Sequence, residues 1–320
     1  MKSGVLQLLR NGAVLGAFLC ATLVLQPIAA AELHPTPPEI SKFVSADAPP
    51  TFATAAEAIQ AFKQRLAADD LDGLAGLLGL DPAKVKASEA TMKTYARIRE
   101  GVARQLTVTD LNDHVLLEIG RILWPFPFPV VKGDDGKWAF DTYAGLEEIE
   151  NRRVGENELQ AIATSRAYLE AQYIYASEDR DDDGVLEFAQ KLVSTPGQHD
   201  GLYWPSLDPD DESPAGPFIV PAALDKTREG GGYFGYRFRV LRGQGDQIVG
   251  GKHDYVINGN MIAGYALIAW PVEYGTTGVY TFVTNHRGAV YQADLGPETA
   301  KIASGIKRFN PNEHWELVDE

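Results

Sequence analysis

The 320-residue sequence has a single cysteine, Cys20, so no disulfide can form within the chain. Disulfides are therefore excluded as a source of stability, whatever the redox compartment. The burial of apolar side chains must hold the fold together, and hydrophobic residues make up 45% of the sequence. A chain of this length has room for one large domain or two ordinary ones.

Long hydrophobic runs are also lacking. The apolar run at residues 13–25 is shorter than the roughly 18 residues that a spanning helix needs. Lys2 and Arg10 precede this run, and three alanines at 29–31 follow it, which is the pattern of a secretory signal peptide. We predict a signal peptide at residues 1–31, cleavage before Glu32, a periplasmic location and no stable membrane insertion after cleavage.

Basic residues are scarce, with 29 against 44 acidic residues. Because residues 1–31 hold two basic residues and no acidic one, the remaining chain has 27 basic and 44 acidic residues, a net charge of −17. Such a surface repels nucleic acid and anionic lipid. Nucleic acid is therefore excluded as a partner, and cations or neutral and basic partners are favoured.

The familiar catalytic patterns are missing as well. No two of the six histidines have the i, i+4 spacing of a helical zinc motif, and the sequence contains no G-x-S-x-G elbow and no phosphate-binding loop. We therefore assign no catalytic residue and no nucleotide cofactor.

The chain divides into a proline-rich linker at 32–50, an N-terminal domain at 51–150 and a C-terminal domain at 151–320. In the N-terminal domain, Thr54 and Glu57 form a capping box that predicts a helix, and a second helical region is expected at 81–104. Strands are expected to follow, beginning with 115–124. Helices before a curved sheet indicate an α+β fold, and this order resembles the cone-shaped nuclear transport factor 2-like domains.

The C-terminal domain begins with a predicted helix at 156–177. Its predicted buried face is Leu159, Ile162, Ala163, Leu169, Tyr173 and Ala176. Alternating runs around 236–240, 264–270, 279–283 and 289–291 predict short antiparallel strands, the last two joined in a hairpin. One long helix on an antiparallel sheet is the architecture of a pilin head.

Several stretches resemble a family of exported bacterial proteins known as domain of unknown function 2950. They are KWAFDTYAGLEEIENRRVGENELQAI (137–162), EDRDDDGVLEFAQ (178–190), DGLYWP (200–205), GYRFRVLRGQG (235–245), ALIAWPVEYGTTGVYTFVTN (266–285) and GAVYQADLGPET (288–299). The C-terminal strands are also similar to the globular head of type II secretion pseudopilins. In pseudopilins the apolar helix is fused directly to the head. Here more than a hundred residues separate the two, so the resemblance implies a shared fold without assembly into a fibre.

One acidic loop has the spacing of a calcium site. Asp179, Asp181 and Asp183 alternate before Gly184, as at the start of an oxygen cage for calcium, and Glu187 is a further candidate ligand. Gln190 stands where a closing bidentate glutamate is usual, so either another segment, such as Asp200 or Asp208, completes the shell, or the affinity for calcium is poor. The alternative is a solvated acidic turn that caps a helix beginning near Val185.

Two aromatic groups leave alternatives open. Trp124, Phe126 and Phe128 alternate with prolines and belong either to the core or to an interaction ridge, with the core favoured. The second group offers either a ligand platform or sheet core with a rigid loop; its members are Tyr203, Trp204, Trp270 and Tyr274.

The sequence favours a non-catalytic role: binding or scaffolding in the envelope, with an envelope protein or a cell-wall ligand as partner and calcium as a stabilising ion. The alternative is a hydrolase that acts on a cell-wall component through a pocket in the N-terminal domain, near Asp113, His114 and Asp141. A titratable pair buried in one pocket would favour the enzyme, whereas an apolar or aromatic surface without such a pair would favour the binding protein.

Overall fold

The computed structural model describes residues 42–206, 208 and 211–318. The predicted signal peptide at 1–31 lies outside the described residues, as does the part of the predicted linker at 32–41. Within the rest of that linker, Phe43 and Val44 pack against the N-terminal core, and Val44 pairs with Leu80 in an isolated antiparallel bridge.

Four helices open the N-terminal half: α1 (Ala55–Ala67), α2 (Leu71–Leu77), α3 (Pro82–Lys86) and α4 (Glu89–Arg104). The predicted capping box is confirmed, because the Glu57 amide donates to Thr54 Oγ1 at 3.2 Å and the Glu57 carboxylate accepts from the Ala53 amide at 3.1 Å. The helix predicted at 81–104 is interrupted. Ser88 adopts an extended conformation and caps a new helix by accepting from the Thr91 amide, so α3 and α4 are separate.

The first sheet contains β1 (Leu106–Asp110), β2 (His114–Ile119), β3 (Trp124–Pro125), β4 (Val130–Lys132) and β5 (Trp138–Phe140). The strands are antiparallel in the order β1-β2-β4-β5, and β3 pairs with β2. The strand predicted at 115–124 is broken because the chain turns at Gly120, whose φ is +72°. Phe126 and Phe128 are buried beside Phe62, which confirms them as core residues, and Trp124 packs partly buried against that core.

Helix α5 (Thr142–Tyr175) is 34 residues long and runs through the predicted domain boundary at 150. It begins fourteen residues before the predicted start at 156, because Asp141 caps it by accepting from the amides of Tyr143 and Ala144. At 1.5 Å per residue it extends about 51 Å. Its first turns carry Leu146 into the N-terminal core.

The predicted buried face of α5 is only partly correct. Ile162 and Leu169 pack partly buried against the core, whereas Leu159 and Tyr173 are 63% and 62% exposed. Many of the buried positions are small or polar and therefore escape a search for apolar periodicity; they include Gly145, Ala161, Ser165, Ala171 and Gln172. Gln172 is satisfied internally, because its amide group both donates to Ala189 O (2.9 Å) and accepts from Ala189 N (2.8 Å).

The second large sheet is antiparallel, with the order β14-β13-β12-β11-β6. Its strands are β6 (Tyr236–Leu241), β11 (Ala266–Pro271), β12 (Tyr280–Asn285), β13 (Val290–Asp294) and β14 (Glu316–Leu317). The hairpin predicted between the last two runs is confirmed as β12-β13. Two small sheets pair β7 (Gly243–Gln244) with β8 (His253–Asp254) and β9 (Val256–Ile257) with β10 (Asn260–Met261).

Helix α5 packs against β11 and β12 on one face of this sheet. Helix α7 (Thr299–Gly305) packs against β11, and Arg239 of β6 donates to carbonyls at the end of α7, those of Ala303, Ser304 and Ile306. A short helix, α6 (Pro221–Arg228), lies in the connection between α5 and β6. The described residues belong to one compact unit whose mixed helices and antiparallel sheets confirm the α+β class. No helix among them has the length and apolar character needed to cross a membrane.

Two glycines on α5 provide a test of this packing. A Cβ at Gly145 would overlap the buried Phe128 ring, whereas a Cβ at Gly155 meets nothing within 4 Å. We expect Gly145→Ala to lower the free energy of unfolding by about 1–3 kcal/mol through overpacking. Gly155→Ala should raise it by about 0.5–1 kcal/mol through helix propensity alone. Chemical denaturation measures both, and equal effects of the two substitutions would contradict the packing.

Candidate functional site

An apolar pocket of about 550 Å³ lies in the C-terminal half, between α5, β6 and the connection that joins them. The helix contributes Ala167, Tyr168 and Ala171, and the strand contributes Tyr236 and Phe238. The cover comes from the connecting segment and includes Leu192, Leu202, Phe218, Leu224 and Tyr233. A pocket of this size and lining suits an apolar ligand group.

Tyr233 fastens the cover to the strand. Its hydroxyl accepts from the Val220 amide at 3.0 Å and donates to Phe218 O at 3.3 Å, and its backbone exchanges two hydrogen bonds with Tyr236. Gly232 precedes it with φ of +71°, and a Cβ there would lie 2.6 Å from Tyr236 O, so glycine is required. The sequence therefore closes the pocket by a tight turn at 232–236.

The pocket lining lacks the side chains that most often act as general acids and bases. Among the described residues it includes four tyrosines and Arg237, but no carboxylate, histidine or lysine. Burial raises the pKa of Tyr168 and of Tyr236, so both stay neutral at ordinary pH. Arg237 pairs with Trp270 of β11, and its side chain lies on the opposite face of the sheet from that of Phe238. It therefore reaches the pocket only at the edge of the strand.

The aromatic residues singled out in the sequence do not form one platform. Tyr203 lines the pocket, but Trp204 is buried, donates its indole N–H to Asp211 O at 3.0 Å and stacks on His199. Trp270 lies on the far face beneath the Arg239 guanidinium. Tyr274 donates to Asp294 elsewhere. The pocket residues themselves were missed, because they come from three segments far apart in sequence.

The acidic loop brings three of the four predicted metal ligands together. Carboxylate oxygens of Asp179, Asp181 and Asp183 lie within 4.8 Å of one another. One oxygen of Asp179 accepts from the Gly184 amide at 2.8 Å, while Oδ1 is shielded from solvent and has no partner among the described residues. This group offers the hard oxygen ligands that calcium prefers.

The charges within this group influence one another. The hydrogen bond from the Gly184 amide is the largest factor that lowers the pKa of Asp179. Partial loss of hydration raises the pKa of Asp181, and the negative charge of Asp183 adds to this shift. A bound cation would relieve this repulsion.

Glu187 is not part of the acidic group. Its carboxylate accepts from the Met261 amide at 2.7 Å, and Gln190 donates to Gly259 O at 2.6 Å, so both residues fasten the β9-β10 hairpin. Asp183 also reaches this hairpin by accepting from Asn260 at 2.5 Å. The helix expected near Val185 does not form. Residues 185–189 have no regular secondary structure and run alongside the β9-β10 hairpin.

The residues considered for a hydrolase are dispersed. His114 and Asp113 contact each other at 2.6 Å on the surface, and Asp141 is committed to the start of α5. A groove of about 1070 Å³ does lie beside α1 and α4, but its lining includes Lys63, Arg99 and Glu100 and none of those three residues.

A family model described as Protein of unknown function (DUF2950) matches residues 50–318. The chain belongs to this family. The match covers both large sheets of this DUF2950 protein, the pocket and the acidic loop. No curated protein matches the chain.

One partly buried carboxylate of this DUF2950 protein was not found by sequence reasoning. Glu158 on α5 accepts from the amides of Val279 (2.8 Å) and Tyr280 (3.1 Å), and thereby ties the helix to the start of β12. Burial raises the pKa of Glu158, the two amide hydrogen bonds oppose this effect, and the charge of Asp294 adds to it.

The raised pKa of Glu158 predicts a pH-dependent stability. Since the folded state holds this proton more tightly than the unfolded state, the Glu158 contribution becomes less favourable as pH rises from the ordinary pKa of 4.5 through the folded pKa. Glu158→Gln retains an acceptor oxygen and cannot ionise. We expect its stability relative to the native chain to increase over that interval and then to stay constant.

Urea denaturation between about pH 4 and about pH 8 measures this difference. Glu156→Gln is the control, because Glu156 is an exposed carboxylate on the same helix. A difference between Glu158→Gln and the native chain that stays the same at every pH would contradict the prediction.

Proposed function

We propose that this DUF2950 protein is a non-catalytic binding protein of the bacterial periplasm, whose C-terminal pocket holds an apolar group of its ligand. The observation that carries the proposal is the lining of that pocket, which is aliphatic and aromatic and has no titratable pair. Acid–base catalysis requires groups that change charge near the working pH. Tyr168 and Tyr236 do not, since burial raises the pKa of both hydroxyls.

The periplasmic part of the proposal is supported by the sequence. The pattern at residues 1–31 is that of a cleaved signal peptide, and Cys20 falls within it. Cleavage would leave a chain without cysteine, which is indifferent to an oxidising compartment.

We also propose fold relationships that are more specific than membership of the α+β class. We propose a cone-like relationship for the first half, on the order of its helices and sheet, and a pilin-head-like relationship for the second half. Helix α5 beside the antiparallel sheet β14-β13-β12-β11-β6 supports the latter. A hydrolase of cell-wall material has less support, because Asp113 and His114 are on the surface and Asp141 is occupied as a helix cap.

The pocket can be tested with N-phenyl-1-naphthylamine, a neutral apolar probe whose fluorescence rises on transfer from water. We expect saturable binding to residues 32–320. Ala167→Trp places a large side chain in the pocket and should weaken binding by about tenfold or more.

Ala163→Trp is the matched control, because Ala163 is exposed on the same helix, does not line the pocket and receives the same substitution. Its probe affinity should equal that of the native chain. Equal affinities of Ala167→Trp and Ala163→Trp, with both folded by circular dichroism, would place the binding elsewhere.

We also propose that Asp179, Asp181 and Asp183 bind calcium as a structural ion. The support is their mutual proximity together with the shielded, unpartnered Asp179 Oδ1. Since the same segment contacts the β9-β10 hairpin through Asp183 and Glu187, a bound ion would stabilise that hairpin and would not take part in chemistry.

Calorimetric titration of calcium into residues 32–320 tests this site. Binding should disappear in the variant Asp181→Asn with Asp183→Asn and persist in Asp134→Asn with Asp135→Asn, which removes two carboxylates from another exposed turn. Calcium at 100 times its Kd should raise the free energy of unfolding by about 2.7 kcal/mol. A melting temperature that a chelator leaves unchanged would contradict the metal site.

A further inference from the structure

The outer edge of β6 has backbone groups without a partner among the described residues. Val272 donates to Gly235 O, and Pro271, which has no N–H, lies opposite Tyr236. Because hydrogen-bonded and non-bonded pairs alternate along an antiparallel ladder, residues 237, 239 and 241 bond to β11. The amides and carbonyls of residues 236, 238 and 240 therefore point away from the sheet.

Both ends of this edge are occupied. Tyr236 exchanges backbone hydrogen bonds with Tyr233, and just beyond β6 the Arg242 carbonyl accepts from the Tyr255 amide at 2.9 Å. In the described part of the chain, the N–H and C=O groups of Phe238 and Val240 have no such partner. Both residues are only partly buried. Two donors and two acceptors are thus presented in the geometry of a missing strand.

The apolar pocket lies along this open edge. Phe238 lines it, and Tyr233, which closes its cover, packs edge-on against Phe238 with ring centroids 6.3 Å apart. A strand added to β6 would direct alternate side chains toward this face. One of them would enter the pocket, and the next would lie over Val240.

The opposite face of the edge is basic. Arg237 is exposed and forms no ion pair with a described residue, while Arg239 is committed to the carbonyls at the end of α7. A directly opposed acidic side chain would complement Arg237.

We propose that β6 binds an extended peptide as an additional strand, with apolar side chains facing the pocket and acidic side chains facing Arg237. This inference rests on the proposed function, since it makes the apolar group in the pocket a side chain of a peptide. The peptide backbone supplies affinity, and the alternation of its side chains supplies selectivity.

A peptide of about seven residues that alternates leucine and glutamate is the first probe. We expect it to bind residues 32–320 and to displace N-phenyl-1-naphthylamine. The same peptide with lysine in place of glutamate should bind about tenfold more weakly or worse, because it sets like charges opposite Arg237. Arg237→Glu should reverse this preference, so that the lysine peptide binds more tightly than the glutamate peptide.

N-methylation of the peptide tests strand addition without altering the protein. Only every second amide of a bound strand can face β6. Methylating one alternate set should therefore weaken binding about tenfold or more, and methylating the other set should have little effect. Val240→Pro removes a donor from the open edge and none from the β11 ladder, so it should weaken binding similarly.

The outcomes separate this inference from the proposed function. If the neutral probe binds in the pocket but the acidic peptide does not, or if both methylated peptides bind equally well, strand addition is wrong and apolar binding stands. If neither probe nor peptide binds, both proposals fail. Reversal of the charge preference by Arg237→Glu, together with sensitivity to one methylation set only, would support the inference.

Discussion

The continuity of helix α5 is the constraint on which both halves of the chain depend. Its N-terminal turns place Gly145 beneath Phe128 and Leu146 in the first core. Its later turns place Ala161 and Tyr168 against the second sheet. Because a single rigid helix enters both cores, a change that shifts one end shifts the other. Asp141 fixes the start of the helix, and Glu158 fixes it to β12.

The same helix makes the pocket possible. Small side chains at Ala167 and Ala171 leave space that larger ones would fill, and the Tyr168 hydroxyl is satisfied by donating to Ala266 O at 3.2 Å. Tyr233 holds the opposite wall by satisfying two backbone groups of the cover. The polar atoms of these two walls are thus turned toward the protein, which leaves an apolar surface facing the cavity.

Structural features that depend on residues close together in the chain could be predicted from the sequence. The capping box at Thr54 and Glu57 lies within four residues, and the alternation of Tyr236, Phe238 and Val240 defines a strand by itself. The long helix was only partly predicted. Its buried positions include Ser165 and Gln172, whose polarity is tolerated because partners are supplied by Ala161 O and by the backbone of Ala189. The Ala161 carbonyl lies one turn earlier on the same helix, whereas the Ala189 backbone is brought to Gln172 only by the fold.

The candidate sites also differ in how far they could be predicted from the sequence. Asp179, Asp181 and Asp183 are brought together by a tight loop and could be predicted from spacing, whereas Glu187 is drawn away by the Met261 amide, 74 residues distant. The pocket could not be predicted, because α5, the connection and β6 each contribute only part of its lining. The linear sequence contains no sign that these parts adjoin one another.

An open strand edge is a hazard, since identical edges tend to pair and aggregate. Two features limit that hazard at β6. The Tyr233–Tyr236 bridge occupies one end of the edge and the hydrogen bond from Tyr255 to Arg242 O the other, so in the part of the chain that the structure describes only Phe238 and Val240 remain open. If the β6 strands of two copies paired antiparallel with Arg237 near the centre, the two Arg237 side chains would face each other and repel. The same charge that opposes self-association would attract the acidic strand that we propose, so one arginine would meet both requirements of strand addition.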